Sequence, residues 1–372
     1  MRVLMVTNKV KTYALGFQNV IGPMLEQGHE LVWAADFSGF LGDISVIPCK
    51  TEQIDINSNP LKPTNLKAYR QLLQIIDRHN IEALMCSTPI GGMLGRLAAK
   101  AKKISPVIYA AHGFLFFKGA PFINRTVYRF QEELMARWTD VLINLNEEDY
   151  HAAENFKLRG LKKHYLIHGA GVKVGQRVQI DCAAKRKELD VPEDAVVIVS
   201  AGFLNPNKNN RVVIEALAKL NDPRYCHLLC GDGELKDELA ALAKQLGVEN
   251  QVKLLGYRTD MMEIMAASDI FVMPSFREGV PRALLEAMDL GLPCVGSNTR
   301  GIRELIGENG EGGYICDPRS PEDFAEAFEK IVEDAVAKTT MVQRNQEIVY
   351  QYSAETVRGE LFKIYSDVLV GR

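Results

Sequence analysis

The chain has 372 residues, of which 47% are hydrophobic and 24% charged, a composition typical of soluble globular proteins and unlike that of disordered, collagen-like or coiled-coil chains. Its formal net charge of −3 argues against a dedicated nucleic-acid-binding protein. No apolar stretch approaches the roughly 20 residues of a membrane-spanning helix, and the N-terminal apolar run is too short for a signal peptide. We therefore expect a cytoplasmic protein of two or three domains.

Short apolar runs alternate with helical patterns along the first half of the chain. The predicted buried strands are Val3–Val6, Leu31–Ala34, Ala83–Cys86, Val107–Ala110 and Val141–Leu145. Helical periodicity covers Leu66–His79 and Asn124–Trp138. This alternation predicts a parallel sheet with helices on both faces.

The alternation starts again in the second half. Its predicted strands are Ala195–Ala201, His227–Cys230, Val252–Leu255, Ile270–Met273 and Pro293–Val295, and its predicted helices lie at about 209–220, 235–246, 259–267, 281–290 and 321–335. Glycines suggest a linker near residues 170–185. We predict an α/β protein of two facing, doubly wound parallel-sheet domains, residues 1–178 and 179–353. The last helix, about 354–372, is expected to pack back on the first domain. Ligands are expected in the cleft between the domains.

The most informative segment is PSFREGVPRALLEAM at residues 274–288, directly after a predicted strand. Glu278 lies at the end of that strand, and Gly279 permits close approach of a ligand. Glu286 is one helical turn beyond Arg282, so it can face the same cleft. A helix that begins beside a ligand offers free N–H groups to phosphates, and two carboxylates can accept hydrogen bonds from sugar hydroxyls.

This segment resembles the glutamate–seven residues–glutamate signature of retaining glycosyltransferases with two Rossmann-like domains, the GT-B architecture. It is most similar to the family 4 type of bacterial capsule and exopolysaccharide synthesis. Other segments similar to that family read TPIGG at 88–92, AHGF at 111–114, NEED at 146–149, GFLNPNKN at 202–209, GDGEL at 231–235, GYRTD at 256–260, SDIFV at 268–272 and RGIRELI at 300–306. Each segment is a weak signal alone, whereas the ordered set is specific.

The resemblance implies a role for each matching residue of the donor site. The residue that matches Glu286 binds the ribose hydroxyls of the nucleotide. The residue that matches Glu278 contacts the donor sugar, assisted by the backbone N–H groups of Gly279 and Val280. The lysine that matches Lys208 lies at the diphosphate, where its ammonium offsets the charge of the leaving group.

The resemblance extends to the nucleotide loops and to the first domain. Gly231 and Gly233 match a loop that passes close to the nucleotide. Tyr257 and Arg258 match positions that frame the base, chiefly with backbone groups. His112 matches a histidine of the first domain that faces the donor across the cleft.

Two departures from the family pattern affect this assignment. Phe203 stands where many relatives carry an arginine, so diphosphate binding depends more on Lys208, assisted by Arg282 or Arg211. The residues at 85–87, Met-Cys-Ser, replace histidines that relatives often carry near the acceptor pocket.

The implied function is retaining transfer of a hexose or N-acetylhexosamine from a nucleotide-diphospho-sugar, expected to be UDP-linked. The expected acceptor is a saccharide on a polyprenyl diphosphate at the inner face of the membrane, and no separate cofactor is expected. Three other functions stay open. They are a UDP-sugar 2-epimerase of the same architecture, a non-catalytic sugar-binding scaffold, and a nicotinamide oxidoreductase, which lacks a supporting glycine fingerprint.

Metal sites find little support in the sequence. No D-x-D triplet occurs, and the seven cysteines include no C-x-x-C pair. His164 and His168 have a helical i, i+4 spacing, but Tyr165–Ile167 between them is predicted to be a short strand. We therefore predict a metal-independent enzyme.

Residues 114–130 contain six aromatic side chains interleaved with Lys118, Arg125 and Arg129. One interpretation is a surface that contacts an anionic membrane or a lipid-linked acceptor. The other is a buried helix with a cationic exposed side.

Overall fold

The computed structural model describes residues 1–117, 120–175, 180–307 and 309–370. The chain forms two compact units, which we call the first unit (Met1–Gly171 with the segment from Ala354) and the second unit (Val172–Ser353). The division lies seven residues before the expected boundary at 178. Val172 pairs with Ser353, and its amide donates to the carbonyl of Tyr352 at 3.0 Å, so the chain enters and leaves the second unit at one place. Residues 176–179 of the expected linker lie outside the described residues.

The described part of the first unit contains a sheet of seven parallel strands. The strands are β1 Arg2–Lys9, β2 Glu30–Asp36, β3 Lys50–Gln53, β4 Ala83–Ser87, β5 Val107–Ala111, β6 Val141–Asn144 and β7 Lys163–Leu166. The helices are α1 Leu15–Glu26, α2 Thr64–Arg78, α3 Pro89–Lys102, α4 Arg129–Ala136, α5 Glu147–Ala153 and, at the C-terminal end of the chain, α14 Ala354–Val368. A 3-10 turn spans Ile44–Val46, and a π-helical segment, Asn124–Tyr128, precedes α4.

The described part of the second unit contains a sheet of six parallel strands. The strands are β8 Val196–Ala201, β9 Tyr225–Cys230, β10 Val252–Gly256, β11 Ile270–Met273, β12 Cys294–Ser297 and β13 Gly313–Cys316. The helices are α6 Cys182–Glu188, α7 Asn210–Leu220, α8 Lys236–Gln245, α9 Met261–Ala266, α10 Arg282–Asp289, α11 Arg300–Ile306, α12 Pro321–Glu333 and α13 Ala335–Val349. Short 3-10 turns span Pro206–Lys208 and Tyr350–Tyr352.

The strand orders are β3-β2-β1-β4-β5-β6-β7 and β10-β9-β8-β11-β12-β13. Both orders are Rossmann-like, so the predicted fold class of two doubly wound parallel sheets is confirmed. The order reverses between β1 and β4 in one sheet and between β8 and β11 in the other. Ligands of such sheets bind beyond the carboxyl ends of the strands at these reversal points.

Apolar runs predict the central strands, which are buried on both faces, to within a few residues. The edge strands β3 and β13 are missed. The β3 sequence KTEQ has no apolar run, because its side chains are only partly covered. Two other expectations differ from the structure. The helix α6 begins inside the expected linker, and the predicted helix Asn124–Trp138 divides into the π-helical segment and α4.

The C-terminal helix α14 packs against α1 in the first unit. Tyr365 is fully buried, and its hydroxyl contacts the sulfur of Met85 in β4. Arg358 forms an ion pair with Glu26 at the end of α1. The last helix is therefore part of the first unit, although the whole second unit precedes it in sequence.

Candidate active site

The reversal point of the second sheet carries the two most strongly indicated residues. Lys208 lies in the loop after β8, and Glu278 lies in the loop after β11. The Lys208 ammonium is 2.7 Å from a Glu278 carboxylate oxygen, and the two side chains are 23% and 14% exposed. The fold thus brings together residues 70 positions apart and forms a mostly buried ion pair where a ligand is expected.

Hydrogen bonds hold these two loops against each other. The Asn205 side chain accepts from the amide of Lys208 at 3.1 Å and so caps the short 3-10 turn. The Asn207 side chain donates to the carbonyl of Arg277 at 3.0 Å, and its own carbonyl accepts from the amide of Phe276 at 2.8 Å. The position of Lys208 relative to Glu278 is therefore set by hydrogen bonds of Asn205 and Asn207 to the backbone of both loops.

The helix α10 carries the second glutamate of the signature. The Glu286 carboxylate lies 3.4 Å from the Arg282 guanidinium, one turn earlier in the helix. Burial raises the pKa of the Glu286 carboxyl, and Arg282 offsets part of that rise. The amides of Gly279 and Val280, just before the helix, donate no hydrogen bond within the described part of the chain. They remain available to a ligand.

The glycines at the neighbouring strand ends allow backbones to touch. A Cβ atom added to Gly231 would lie 1.9 Å from the carbonyl oxygen of Gly202, and one added to Gly233 would lie 2.2 Å from that of Leu204. The loops after β8 and β9 therefore pack backbone to backbone. The proximity of these two glycines to a nucleotide stays a prediction.

Tyr257 and Arg258 follow β10. The Tyr257 side chain is 74% exposed, and its amide donates to the Asp232 carboxylate at 3.1 Å. The Arg258 guanidinium is bound by Asp260 at 2.5 Å and by Glu188 at 2.9 Å. These carboxylates engage the Arg258 side chain, and the framing of a base by the backbone of Tyr257 and Arg258 stays a prediction.

His112 belongs to the first unit. It follows β5, and its side chain is exposed. The reversal point of that sheet is organised by Asn8, whose carboxamide oxygen accepts from the Thr88 hydroxyl and the Gly91 amide, both at 2.8 Å. Thr88 itself has a φ of 66°, a left-handed conformation that is strained for a β-branched residue.

Several residues that contact the candidate site or the strands next to it were not predicted as site residues from sequence. The buried Arg300 side chain donates to the carbonyl of Glu278 at 3.2 Å. Beneath the loop after β8, Ser200 bonds both the ring of His227, at 3.0 Å, and Asn210, at 3.2 Å. Burial lowers the pKa of His227 to about 3, so this ring is neutral. Arg300 lies in a segment similar to the family, whereas His227 lies within an apolar strand and gives no separate signal.

Phe203, at the position where many relatives carry arginine, is 64% exposed in the loop after β8. It supplies no charge to the site. Arg211 pairs with Glu215 in α7 at 2.8 Å, so its guanidinium is already engaged. Lys208 and Arg282 are paired as well, with Glu278 and Glu286, so the role of Lys208 at a diphosphate, assisted by Arg282 or Arg211, stays a prediction.

No group of three or more potential metal ligands occurs among the residues that the structure describes. The paired histidines have separate partners. His164 bonds the Asn144 side chain at 2.8 Å, and His168 bonds Glu360 at 2.5 Å. Their helical spacing carries no metal site, because His164 lies in a strand.

Two family models match the chain. "Glycosyl transferases group 1" covers residues 181–348, and "Glycosyl transferase 4-like" covers residues 41–146. EpsD of Bacillus subtilis (strain 168) is named as a glycosyltransferase. It is 33% identical to this chain over 321 residues, or 84% of each chain. The UDP-Gal:alpha-D-GlcNAc-diphosphoundecaprenol alpha-1,3-galactosyltransferase of Escherichia coli is 26% identical over 83% of this chain and 81% of its own length.

Solved structures of similar fold include HepE from Anabaena in complex with UDP-glucose. It has a TM-score of 0.79 at 21% identity, covering 99% of this chain and 100% of the HepE chain. At this identity the likeness shows the shared fold.

Proposed function

The chain belongs to the group 1 glycosyl transferases, and from that premise we propose a retaining transferase that uses a UDP-sugar and a lipid-diphosphate-linked saccharide acceptor. The family expected from the ordered motifs is confirmed, and it places the protein among glycosyltransferases of polysaccharide and lipid-linked sugar synthesis. The observation that carries the proposal is the Lys208–Glu278 pair at the reversal point of the second sheet, with Glu286 on the following helix.

The proposed donor is supported by the chemistry of these residues and by two similar proteins. The E. coli relative is named for a UDP-sugar, and HepE was crystallised with UDP-glucose. In this chain the Glu286 carboxylate would accept hydrogen bonds from the ribose hydroxyls. The free amides of Gly279 and Val280 and the start of α10 would face negative charge.

In the proposed reaction, the bond from the anomeric carbon to the diphosphate breaks and its electron pair stays on the diphosphate. The acceptor hydroxyl forms its new bond on the same face of the sugar, and its proton passes to the departing diphosphate. Lys208 would stabilise the growing negative charge. When the diphosphate engages Lys208, the Glu278 carboxylate is released to accept from donor-sugar hydroxyls.

A thermal-shift panel with UDP, GDP, ADP, NAD and several UDP-sugars tests the donor assignment. A ligand at about 100 times its Kd stabilises a protein by about 2.7 kcal/mol, which such a panel detects. We expect a selective shift with UDP and one UDP-sugar. A shift with NAD alone would support an oxidoreductase, and no shift with any nucleotide would support a non-catalytic scaffold.

Product analysis then separates a transferase from an epimerase. The stabilising UDP-sugar is incubated with and without a polyprenyl-diphosphate-linked saccharide, and the new linkage is examined by NMR. The proposal predicts turnover that depends on acceptor and an anomeric configuration equal to that of the donor. Conversion of the UDP-sugar without acceptor would identify an epimerase.

The affinity for a UDP-sugar should decline as the pH falls through the raised pKa of Glu286. The ionised carboxylate accepts from the ribose hydroxyls, and burial makes it protonate at a higher pH than the usual value of about 4.3. Affinity should therefore be full at neutral pH and weaken in mildly acidic buffer. Isothermal titration of UDP-glucose across this range measures it, because the ligand's diphosphate ester does not titrate there. Glu286→Gln should bind UDP-glucose more weakly at neutral pH, and its affinity should not change with pH over this range. The same loss of affinity at acidic pH in that variant would exclude Glu286 as the titrating group.

We also propose that the first unit contacts the membrane surface. No helix of the described residues is both long and apolar enough to cross a membrane. The segment 114–130 has two parts. Phe114 and Phe116 are buried in the core, whereas Phe122 and Phe130 are 72% and 67% exposed. Ile123 and Val127 are also exposed, and we call these four apolar residues the apolar face. Arg125 and Arg129 lie between them in sequence, and Lys118 lies outside the described residues.

Replacing Phe122 and Phe130 together with serine should reduce co-sedimentation with phosphatidylglycerol vesicles by about tenfold or more, because binding scales with the apolar area inserted. Leu41→Ser with Val46→Ser removes two other exposed apolar side chains of the same unit and is the matched control. Equal sedimentation of both double variants and the parent would remove the membrane role from this face.

A further inference from the structure

A cavity of about 220 Å³ lies in the first unit. It begins at the carboxyl ends of β4 and β5, where Gly113, the residue after His112, forms part of its wall. Its other walls are mainly apolar. They include Pro60, Pro89, Ile90, Met93, Phe114 and Leu115. The volume exceeds that of the roughly 150 Å³ apolar cavity known to hold benzene, so a ligand of at least that size fits.

Among the polar side chains in the cavity wall, Tyr109 and Glu132 are engaged with each other, and Ser58 and Gln131 also line it. The Tyr109 hydroxyl donates to the Glu132 carboxylate at 3.3 Å. The other carboxylate oxygen pairs with Arg96 at 2.9 Å, and this guanidinium stacks 3.8 Å from the centre of the Tyr109 ring. Because most of the wall is apolar and the Glu132 carboxylate is paired with Arg96, the cavity favours a hydrocarbon over a saccharide, whose hydroxyls need several free partners.

Apolar residues adjoin the cavity on two sides. Pro60 also borders a groove between α2 and α3, lined by Leu66, Tyr69, Leu94 and Leu97. At the other end, Tyr128 lines the cavity and closes the π-helical segment that carries exposed Val127. Tyr128 and Gly113 thus place the cavity between the membrane-facing surface proposed above and the sheet edge after β5.

We propose that this cavity binds the isoprenoid chain of the acceptor next to its diphosphate. The proposal rests on the lipid-linked acceptor of the proposed function. Such an acceptor must place its saccharide at the reacting edge of the unit while its chain runs to an apolar environment. The cavity meets both requirements, since Gly113 borders one end and the apolar segment before α4 borders the other.

Photolabelling with a benzophenone-bearing geranylgeranyl diphosphate tests this site in the full-length protein. The label should map to residues 89–97 or 113–117 and be displaced by unlabelled geranylgeranyl diphosphate but not by inorganic diphosphate. Met93→Trp, which fills the cavity, should reduce labelling at least about tenfold, the scale on which apolar pockets discriminate by size. Leu161→Trp adds the same ring at an exposed position of the same unit and should label like the parent.

Unchanged labelling of folded Met93→Trp, label confined to the exposed residues Phe122, Ile123, Val127 and Phe130, or equal displacement by inorganic diphosphate would each overturn the site. Leu115→Trp fills the cavity from another wall and replaces Met93→Trp if that variant melts early. Titration with UDP keeps the two proposals separable. Loss of UDP binding in the parent, with the labelling pattern intact, would contradict the proposed donor and leave the isoprenoid site standing.

Discussion

Lys208→Ala should lower kcat for sugar transfer by about 10²- to 10³-fold, with a much smaller change in KM for the donor. The ammonium lies at the reversal point of the second sheet and is held there by the loop contacts of Asn205 and Asn207. The charge that it meets on the diphosphate grows as the glycosidic bond breaks, so its contribution is largest in the transition state. Steady-state kinetics with a UDP-sugar and acceptor measure both parameters.

Two further variants separate catalysis from structure. Lys219→Ala removes an exposed lysine that pairs with Glu322 between α7 and α12, so it matches the loss of one charge and one ion pair. It should keep parental kinetics. Lys208→Arg retains the cation and should recover part of the lost turnover. A turnover of Lys208→Ala within about twofold of the parent would contradict the proposed role of Lys208 at the diphosphate.

Glu286→Ala should weaken UDP binding by about 10- to 100-fold, the scale of a hydrogen bond to a charged group. Its carboxylate lies on α10, the helix that follows the free amides of Gly279 and Val280, and its pair with Arg282 is long at 3.4 Å. The variant should unfold at the parental temperature or above, because burial raises the Glu286 pKa. A raised folded-state pKa means that the ionised form costs stability at neutral pH, a cost that disappears as the pH falls and the carboxyl is protonated.

Glu326→Ala is the matched control for Glu286. It removes the carboxylate of another i, i+4 pair, with Lys330 on α12, at a distance of 2.6 Å in the parent. Calorimetric titration of UDP should not distinguish this variant from the parent. Parental UDP affinity in Glu286→Ala would refute the ribose assignment, while a lowered melting temperature with weak binding would indicate a structural role instead.

The sequence by itself determined the fold class and the family. Buried parallel strands are covered on both faces, so they must be apolar along their length, and runs such as Val3–Val6 and Ile270–Met273 are visible without any structure. The glutamate pair and the loop containing Lys208 are equally visible, because each occupies a few consecutive residues at the end of a strand. Edge strands such as β3 lack this signal, since one side of the strand is open and polar residues are tolerated there.

Tertiary structure decided which partner each side chain has. The resemblance predicts Lys208 at a diphosphate, but the sequence could not show that Glu278, 70 residues away, pairs with it. It predicted that the backbone of Arg258 helps to frame a base, and it could not show that Asp260 and Glu188 bind the Arg258 guanidinium. It left two interpretations of the aromatic stretch 114–130, and folding divides that stretch between core and surface. Apolar runs and the residues that follow them show where strands end, because a strand and the turn after it are formed by consecutive residues. Charge pairing and burial depend on which loops the sheet order brings together, and that is set only when the whole sheet forms.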